Sequence, residues 1–349
     1  MKFVWLLGWL CIVGSGVIGA SGVVEESGAV EEIREIREIR NRGVKEEFNE
    51  FMVRYGKNYG SWSEYQYRFN VFVENMNKIN SSNSKTHGIT KFSDLTKDEF
   101  SRYPCGGYLS RFNFTTHSHK LPDKLTNKSA PSEWDWTEYG AVTPVKDQGE
   151  CGSCWAFSVI GNIEGVWSVS KHRLVNLSES EFVDCSGHNF GCGGGWPHVA
   201  MEDILKRFNG SVDTEDAYPY SDKDQPCIFT EEGIGANFSD YLPFCTLDTK
   251  PCDEDQMKVW LYQYGPLSVC LNADSMQSYV SGVDMPSDCS SEDINHCVTL
   301  VGYGVSESNL SYWRMKNSWG TNWGEHGYYR LLRGQGVCGI NLAVTTILI

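Results

Sequence analysis

The run Cys151-Gly152-Ser153-Cys154 sets two thiols three residues apart, a spacing that serves three unrelated chemistries. It could be a redox dithiol, half of a zinc site, or a structural cysteine beside a nucleophile. Zinc takes four ligands, usually as two close pairs of Cys or His, and the Cys185 to Cys192 spacing is too loose for a second pair. No metal and no cofactor are therefore expected. A redox pair also opens a helix, where the macrodipole favours a thiolate, but it belongs in a small strand-helix-strand unit and none surrounds this one. A cysteine hydrolase asks for more: a thiolate, an imidazole to hold its proton, a group that orients the imidazole, and donors for a tetrahedral oxyanion. Cys154, His296, Asn317 and Gln148 are candidates for those four parts. Each has a blander reading alone, since a lone histidine is usually a satisfied surface or core group and Asn317 could be a turn residue; only their joint occurrence points to a site.

These side chains need elements to hold them. Apolar residues at Ala156, Val159, Ile160, Ile163, Val166 and Trp167 predict a core helix from Ser153, with Cys154 near its N-terminus. Further on, "GPLSVCLNA", "HCVTLVGYGV", "SYWRMKNSW" and "GYYRLLRG" are short β-rich runs between turn residues, which predicts an antiparallel sheet or barrel in the C-terminal half. Upstream, Phe48, Phe51 and Tyr55, then Tyr65, Phe69, Phe72, Met76 and Ile79, recur at helical steps on either side of Gly60-Ser61, which predicts two amphipathic helices. Residues 104–131 are rich in turn formers and read as a connector. The opening "MKFVWLLGWLCIVGSGVIGA" has an early charge, a short apolar run and small residues, the layout of a secretory signal and too short for a spanning helix. Asn-x-Ser/Thr sequons at Asn80, Asn113, Asn127, Asn176, Asn209, Asn237 and Asn309 fit that route. Of 13 cysteines, Cys11 leaves with the signal, and bridges plus one or two thiols are expected among the rest. The net charge of −15 argues against nucleic acid as a partner. Residues 21–129 hold 17 basic and 15 acidic side chains (17 − 15 = +2), and residues 130–349 hold 12 and 30 (12 − 30 = −18).

The blocks "APSEWDWTEYGAVTPVKDQGECGSCWAFS", "GCGGGWP", "NHCVTLVGYG" and "YWRMKNSWGTNWGEHGYYRL" resemble those of papain-family cysteine protease precursors of the cathepsin L and cathepsin F kind, in the family's order. Glu64, Arg68, Phe72, Asn75, Ile79 and Asn83 match the helix pattern of the family's inhibitory prosegment. "GITKFSD" resembles its second motif, with Thr90 where asparagine is usual. The resemblance implies an α+β, two-lobed papain-like fold: a helical left lobe with the nucleophile helix, and an antiparallel, barrel-like right lobe, preceded by a helical prosegment. The implied organisation is a signal peptide at 1–20, a propeptide at 21–129 with inhibitor helices over about 44–104, and a peptidase domain at 130–349.

By the same resemblance Cys154 is the nucleophile, His296 its proton partner, Asn317 the group orienting His296, Trp319 the shield over that contact, and Gln148 an oxyanion donor. Gly194 and Gly195 are implied to face the backbone of an extended substrate. Trp196, Pro197, Cys270, Ile294, Cys297 and Ala343 are implied to line the second subsite, a pocket without a carboxylate that implies bulky apolar or aromatic side chains. Implied disulfides are Cys151–Cys192, Cys185–Cys227 and Cys289–Cys338. Cys245 and Cys252 are extra and close enough in sequence to shut a local loop. Cys270 and Cys297 depart from the family, either as two buried thiols or as a bridge across the subsite floor. Implied partners are protein and peptide substrates, the propeptide as intramolecular inhibitor, and cystatin-like inhibitors, with a monomeric, non-membrane enzyme in the endolysosomal route or outside the cell. Cys105 would leave with the prosegment, released at acidic pH by a cut between about Leu121 and Ala130.

Overall fold

The computed structural model describes residues 43–82, 84–103, 129–287 and 289–349. The signal and leader, the connector over 104–128 with Cys105, Asn113 and Asn127, and Asn83 of the helix pattern lie outside the described residues. The chain divides into one unit ending at Asn58 and a second running from Tyr59 to Ile349. In the first, helix α1 spans residues 43–54, and its Phe51 ring packs on Tyr55 at 5.4 Å.

The second unit begins with α2 (Trp62–Ser82) and the short α3 (Lys97–Arg102). One face of α2 buries Phe72 and sends polar residues onto the loop before α3. Arg68 donates to Glu99 at 2.9 Å and to the Asp94 carbonyl at 3.1 Å; the Asn75 amide donates to the Ser93 and Leu95 carbonyls at 3.0 and 2.9 Å. Thr96 and Glu99 form a reciprocal capping box that starts α3. The helix pattern thus holds the loop carrying the second motif in place. That loop continues onto the rest of the unit: the Gly88 N–H donates to the Ser278 carbonyl at 2.7 Å, and the Val280 N–H to the Thr86 carbonyl at 2.8 Å.

Beyond residue 129 come β1 (Trp134–Asp135), α4 (Cys154–Lys171), α5 (Glu179–Cys185), α6 (Pro197–Phe208), β2 (Ser211–Asp213), β3 (Ile234–Asn237), β4 (Asp240–Cys245), α7 (Glu254–Tyr264), β5 (Leu267–Leu271), β6 (Val283–Asp284), β7 (His296–Val305), β8 (Ser311–Lys316), β9 (Tyr328–Leu332) and β10 (Ala343–Leu348). The sheet runs β4-β10-β5-β7-β8-β9-β6 with β1 added on β7, and all its pairs are antiparallel except β6 with β9. Strand β7 lies between β5 and β8 and is buried along nearly its whole length, which is why it reads as a continuous apolar run.

Two apolar cores result. One, in the sheet lobe, holds Trp260, Trp313, Trp319, Trp323 and Tyr329; the other, in the helical lobe, holds Trp155, Ile160, Phe182, Met201 and Ile204. Helix α4 is buried over most of its length because it lies against the sheet. A Cβ at Gly161 would come 2.2 Å from the Thr299 hydroxyl, so a glycine is what lets helix and strand approach. Ser158 donates to the Val298 carbonyl at 2.7 Å across the same contact. No described helix is long and apolar enough to cross a membrane.

Candidate active site

Cys154 is the first residue of α4, and β7 begins with His296 and Cys297, so one helix start and one strand start bring the two halves of the site together. The Cys297 N–H donates to the Cys154 sulfur at 3.3 Å. Cys154 is itself disulfide-bonded in this structure, so its sulfur is capped. Ser153, at the helix cap, makes no capping bond; its hydroxyl meets the Tyr220 hydroxyl at 2.7 Å instead.

His296 Nε2 lies 2.8 Å from Asn317 Oδ1, which fixes the ring with its Nε2–H donating. The same Asn317 oxygen accepts the Ser318 N–H at 2.8 Å. Trp319 stacks on the imidazole with ring centres 4.6 Å apart and planes 21° apart, and His296, Asn317 and Trp319 are all buried. His296 Nδ1 and Asn317 Nδ2 are buried with no hydrogen-bond partner among the described residues. Burial pushes the imidazole down to about 4, and the Asn317 hydrogen bond pulls weakly the other way. A neutral ring with a fixed Nε2–H leaves Nδ1 as the position that can take a proton.

Trp319 is covered in turn. The rings of Phe92, Phe100 and Tyr103 meet it edge-on at 5.1, 5.6 and 6.3 Å. Lys91 reaches Asp147 at 3.0 Å, next to Gln148. Thr90, where the motif usually has asparagine, donates to the Gln277 carbonyl.

Gln148 is fully buried and held on every side: one N–H of its amide donates to the Cys151 carbonyl at 2.9 Å, and its amide oxygen accepts the Ser318 hydroxyl at 2.6 Å. The Tyr220 hydroxyl donates to its backbone carbonyl at 2.8 Å. Sequence reasoning missed Ser318 and Tyr220. Ser318 was within reach because it follows Asn317 directly; Tyr220 carried no signal.

On the far side of Cys154, Gly194 has φ 110° and a Cβ on Gly195 would meet the Asn189 side chain at 2.6 Å. Asn189 Oδ1 accepts the Trp196 N–H at 2.8 Å, so the small residue at 195 makes room for an internal brace. Access for a substrate backbone is therefore not the only demand for glycine there. Trp196 and Pro197 lead into α6; Cys270 faces Cys297 across β5 and β7, and Ala343 of β10 pairs with Cys270. Ile294 is buried two residues before His296.

Besides the bond at Cys154, five disulfides between described residues join Cys151 to Cys192, Cys185 to Cys227, Cys245 to Cys252, Cys270 to Cys297 and Cys289 to Cys338. Cys270 and Cys297 are thus a bridge and not two thiols. Among the described residues no group of three or more His, Cys, Asp or Glu is placed to hold a metal ion.

Residues 130–348 match the model described as "Papain family cysteine protease", and residues 48–100 match "Cathepsin propeptide inhibitor domain (I29)". Cysteine proteinase 15A of Pisum sativum is 40% identical over 323 residues, covering 87% of this chain and 86% of the relative. Cathepsin F of Mus musculus is 42% identical over 310 residues, covering 86% of this chain and 64% of the longer mouse protein. Among solved structures, digestive procathepsin L 3 of the Tenebrio molitor larval midgut superposes with a TM-score of 0.76 at 32% identity, covering 88% of this chain and 99% of that one. The recombinant stem bromelain precursor does so with a TM-score of 0.75 at 33% identity, with the same coverage.

Proposed function

The chain belongs to the papain family of cysteine proteases, with a cathepsin propeptide inhibitor domain ahead of its peptidase domain, and from that premise we propose which residues work and how they are released. Cys154 is the nucleophile. Its proton passes to His296 Nδ1, the ring nitrogen with no hydrogen-bond partner among the described residues, and the thiolate attacks the scissile carbonyl. The oxyanion that forms accepts from the backbone N–H of Cys154 and from the side-chain amide of Gln148. The imidazolium then protonates the departing amine, and water hydrolyses the acyl-sulfur bond with His296 as base. Asn317 holds the ring so that the same nitrogen serves both transfers. The observation that carries this reading is the 2.8 Å His296–Asn317 bond, buried beneath Trp319 next to the sulfur of Cys154.

The zymogen is released at acidic pH. Residues 1–20 leave as a signal peptide and 21–129 as the propeptide, cut between about Leu121 and Ala130. Two effects favour acid: protonating carboxylates weakens the attraction between the +2 and −18 parts, and protonating His296 is costly while it stays buried. The second subsite, around Trp196, Pro197, Cys270, Ile294, Cys297 and Ala343, takes bulky apolar or aromatic side chains. The leader and the sequons support a secretory route ending in an endolysosomal compartment or outside the cell.

The test is acid activation of the recombinant full chain under a mild thiol reductant, which uncaps Cys154, followed by a peptide-library profile with Cys154→Ala as control. Peptide cleavage abolished in the control, with alkylation at Cys154 and none at Cys151, supports the reading. Equal labelling of both cysteines, or preference for arginine in the second subsite, contradicts it.

A further inference from the structure

Cys154 cannot act as a nucleophile while its sulfur is bonded, and its partner follows from the cysteine inventory. The chain has 13 cysteines, and ten of them pair with one another in the five bridges above. Cys154 is the eleventh and is disulfide-bonded too, which leaves Cys11 and Cys105 to hold it. Both lie outside the described residues. Cys11 belongs to the stretch proposed to leave as a signal peptide, so Cys105 remains, in the segment proposed to leave as the propeptide.

The described chain already reaches the site at Tyr103, two residues before Cys105. The Tyr103 ring meets Trp319 edge-on at 6.3 Å, and Trp319 stacks on His296. Burial raises the Tyr103 phenol, and the charges of Asp147 and Glu150, on the loop that leads to Cys151 and Cys154, raise it further. Two residues of extended chain span about 7 Å. Cys154 itself is fully buried, so its bond is sheltered on the enzyme side.

We infer that the proenzyme carries a redox latch: a disulfide between Cys105 and Cys154 holds the nucleophile, and a small thiol must open it before acid can start conversion. The inference rests on the protease reading above and adds a control that acid alone does not operate. Because Cys154 is buried, the thiolate of the small thiol attacks the sulfur of Cys105. The S–S bond breaks with its electron pair on Cys154, and a mixed disulfide forms on Cys105. Cys154 is the favoured leaving group, since a thiol at a helix start is more acidic than an ordinary one. A second small thiol resolves the mixed disulfide. Two small thiols thus become one disulfide, and Cys105 and Cys154 both end as thiols. Cys154 can then pass its proton to His296 Nδ1. The aromatic cover over Trp319 answers to pH and the bond answers to reductant, so the enzyme opens where both conditions are met.

Full chain purified without reductant tests it. Alkylation followed by nonreduced peptide mapping should find Cys154 unlabelled and joined to Cys105. In acid alone this protein should show no conversion above the Cys154→Ala control, and free cysteine as the small thiol should restore conversion while the five other bridges stay closed. Cys105→Ser, its mass showing no adduct on Cys154, should convert in acid without thiol. Alkylation of Cys154 in the unreduced chain, or its bonding to any other cysteine, would overturn the inference. So would equal conversion with and without thiol, or a thiol requirement that survives in Cys105→Ser. If thiol frees Cys154 for alkylation and conversion stays at the level of the control, the protease reading fails and the latch stands.

Discussion

The imidazole of His296 and the carboxyl of Glu181 are both buried, and burial drives them towards opposite ends of the pH scale. His296 is pushed down to about 4 and Glu181 up to about 8, the latter against the pull of the Asp213 backbone N–H and with a smaller push from the Asp213 charge. The cause is the same, since a low-dielectric setting favours whichever form is neutral. The consequences differ in sign. His296 contributes stability that is full above its ordinary value near 6.5 and is lost as pH falls towards 4; Glu181 contributes stability that is full below its ordinary value near 4.5 and is lost as pH rises towards 8. They differ too in what lies over them. Trp319, stacked on His296, is overlain by Phe92, Phe100 and Tyr103 of the segment expected to be removed, whereas Glu181 is enclosed by α5 and the Asp213 backbone of the helical lobe. Acid is therefore expected to work against the cover and to favour the helical lobe, the pairing that the proposed activation in acid calls for.

The comparison breaks most directly at Asn317. Asn317→Ala removes the acceptor for His296 Nε2 and leaves a buried ring unoriented; kcat/KM of the activated enzyme should fall on the order of 100-fold or more, with the circular dichroism spectrum unchanged. Next comes the charged group of the helical lobe. Lys146 joins Glu179 at 2.7 Å and Glu164 at 3.3 Å, and both carboxylates are almost fully buried. Lys146→Met leaves Glu179 without its ion-pair partner and Glu164 with only Lys316 at 4.0 Å, and should cost about 3–5 kcal/mol, read by urea unfolding of the full chain. Phe92→Ala acts on the cover alone. Loss of one buried ring from Trp319 should speed acid conversion several-fold and extend it to higher pH, while the released enzyme, which lacks residue 92, keeps its activity. Conversion at an unchanged rate would show that the aromatic cover does not hold the segment in place.

Much of this was legible in the chain because it depends on local pattern. The period of the residues after Ser153 marked α4, and the apolar run beginning at His296 marked the central strand. Cys154, His296 and Asn317 could be named together because they match the papain-family pattern, whose thiol chemistry calls for those residue types, and the fold brings two of them to 2.8 Å. What stayed hidden depends on register and on distant packing. Whether Cys270 and Cys297 are bonded is decided by the pairing of β5 with β7, where a one-residue slip would turn the sulfurs to opposite faces. The need for glycine at 195 comes from the Asn189 side chain, and Gln148 is held by Tyr220 from a separate loop. Neither has a sequence period to betray it.

The smallest expected effect isolates the helical lobe. Glu181 Oε2 accepts the Asp213 N–H at 2.6 Å, whereas Glu181 Oε1 and Asp213 Oδ1 are buried without partners among the described residues. A protonated Glu181 costs little in that setting, and an ionised one adds a second buried negative charge. Stability of the activated domain should therefore decline as pH rises from about 4.5 to about 8, with a slope of at most about 1.4 kcal/mol per pH unit for the one proton involved. Glu181→Gln keeps the shape and an oxygen for the Asp213 N–H but cannot ionise, so its melting temperature should vary less with pH over that window. The full chain should show the opposite trend below 6.5, where the covered His296 begins to work against the closed form. If the variant keeps the slope of the unaltered domain, Glu181 is not the titrating group, and the contrast with His296 is left to Glu179, which burial also raises, to about 7.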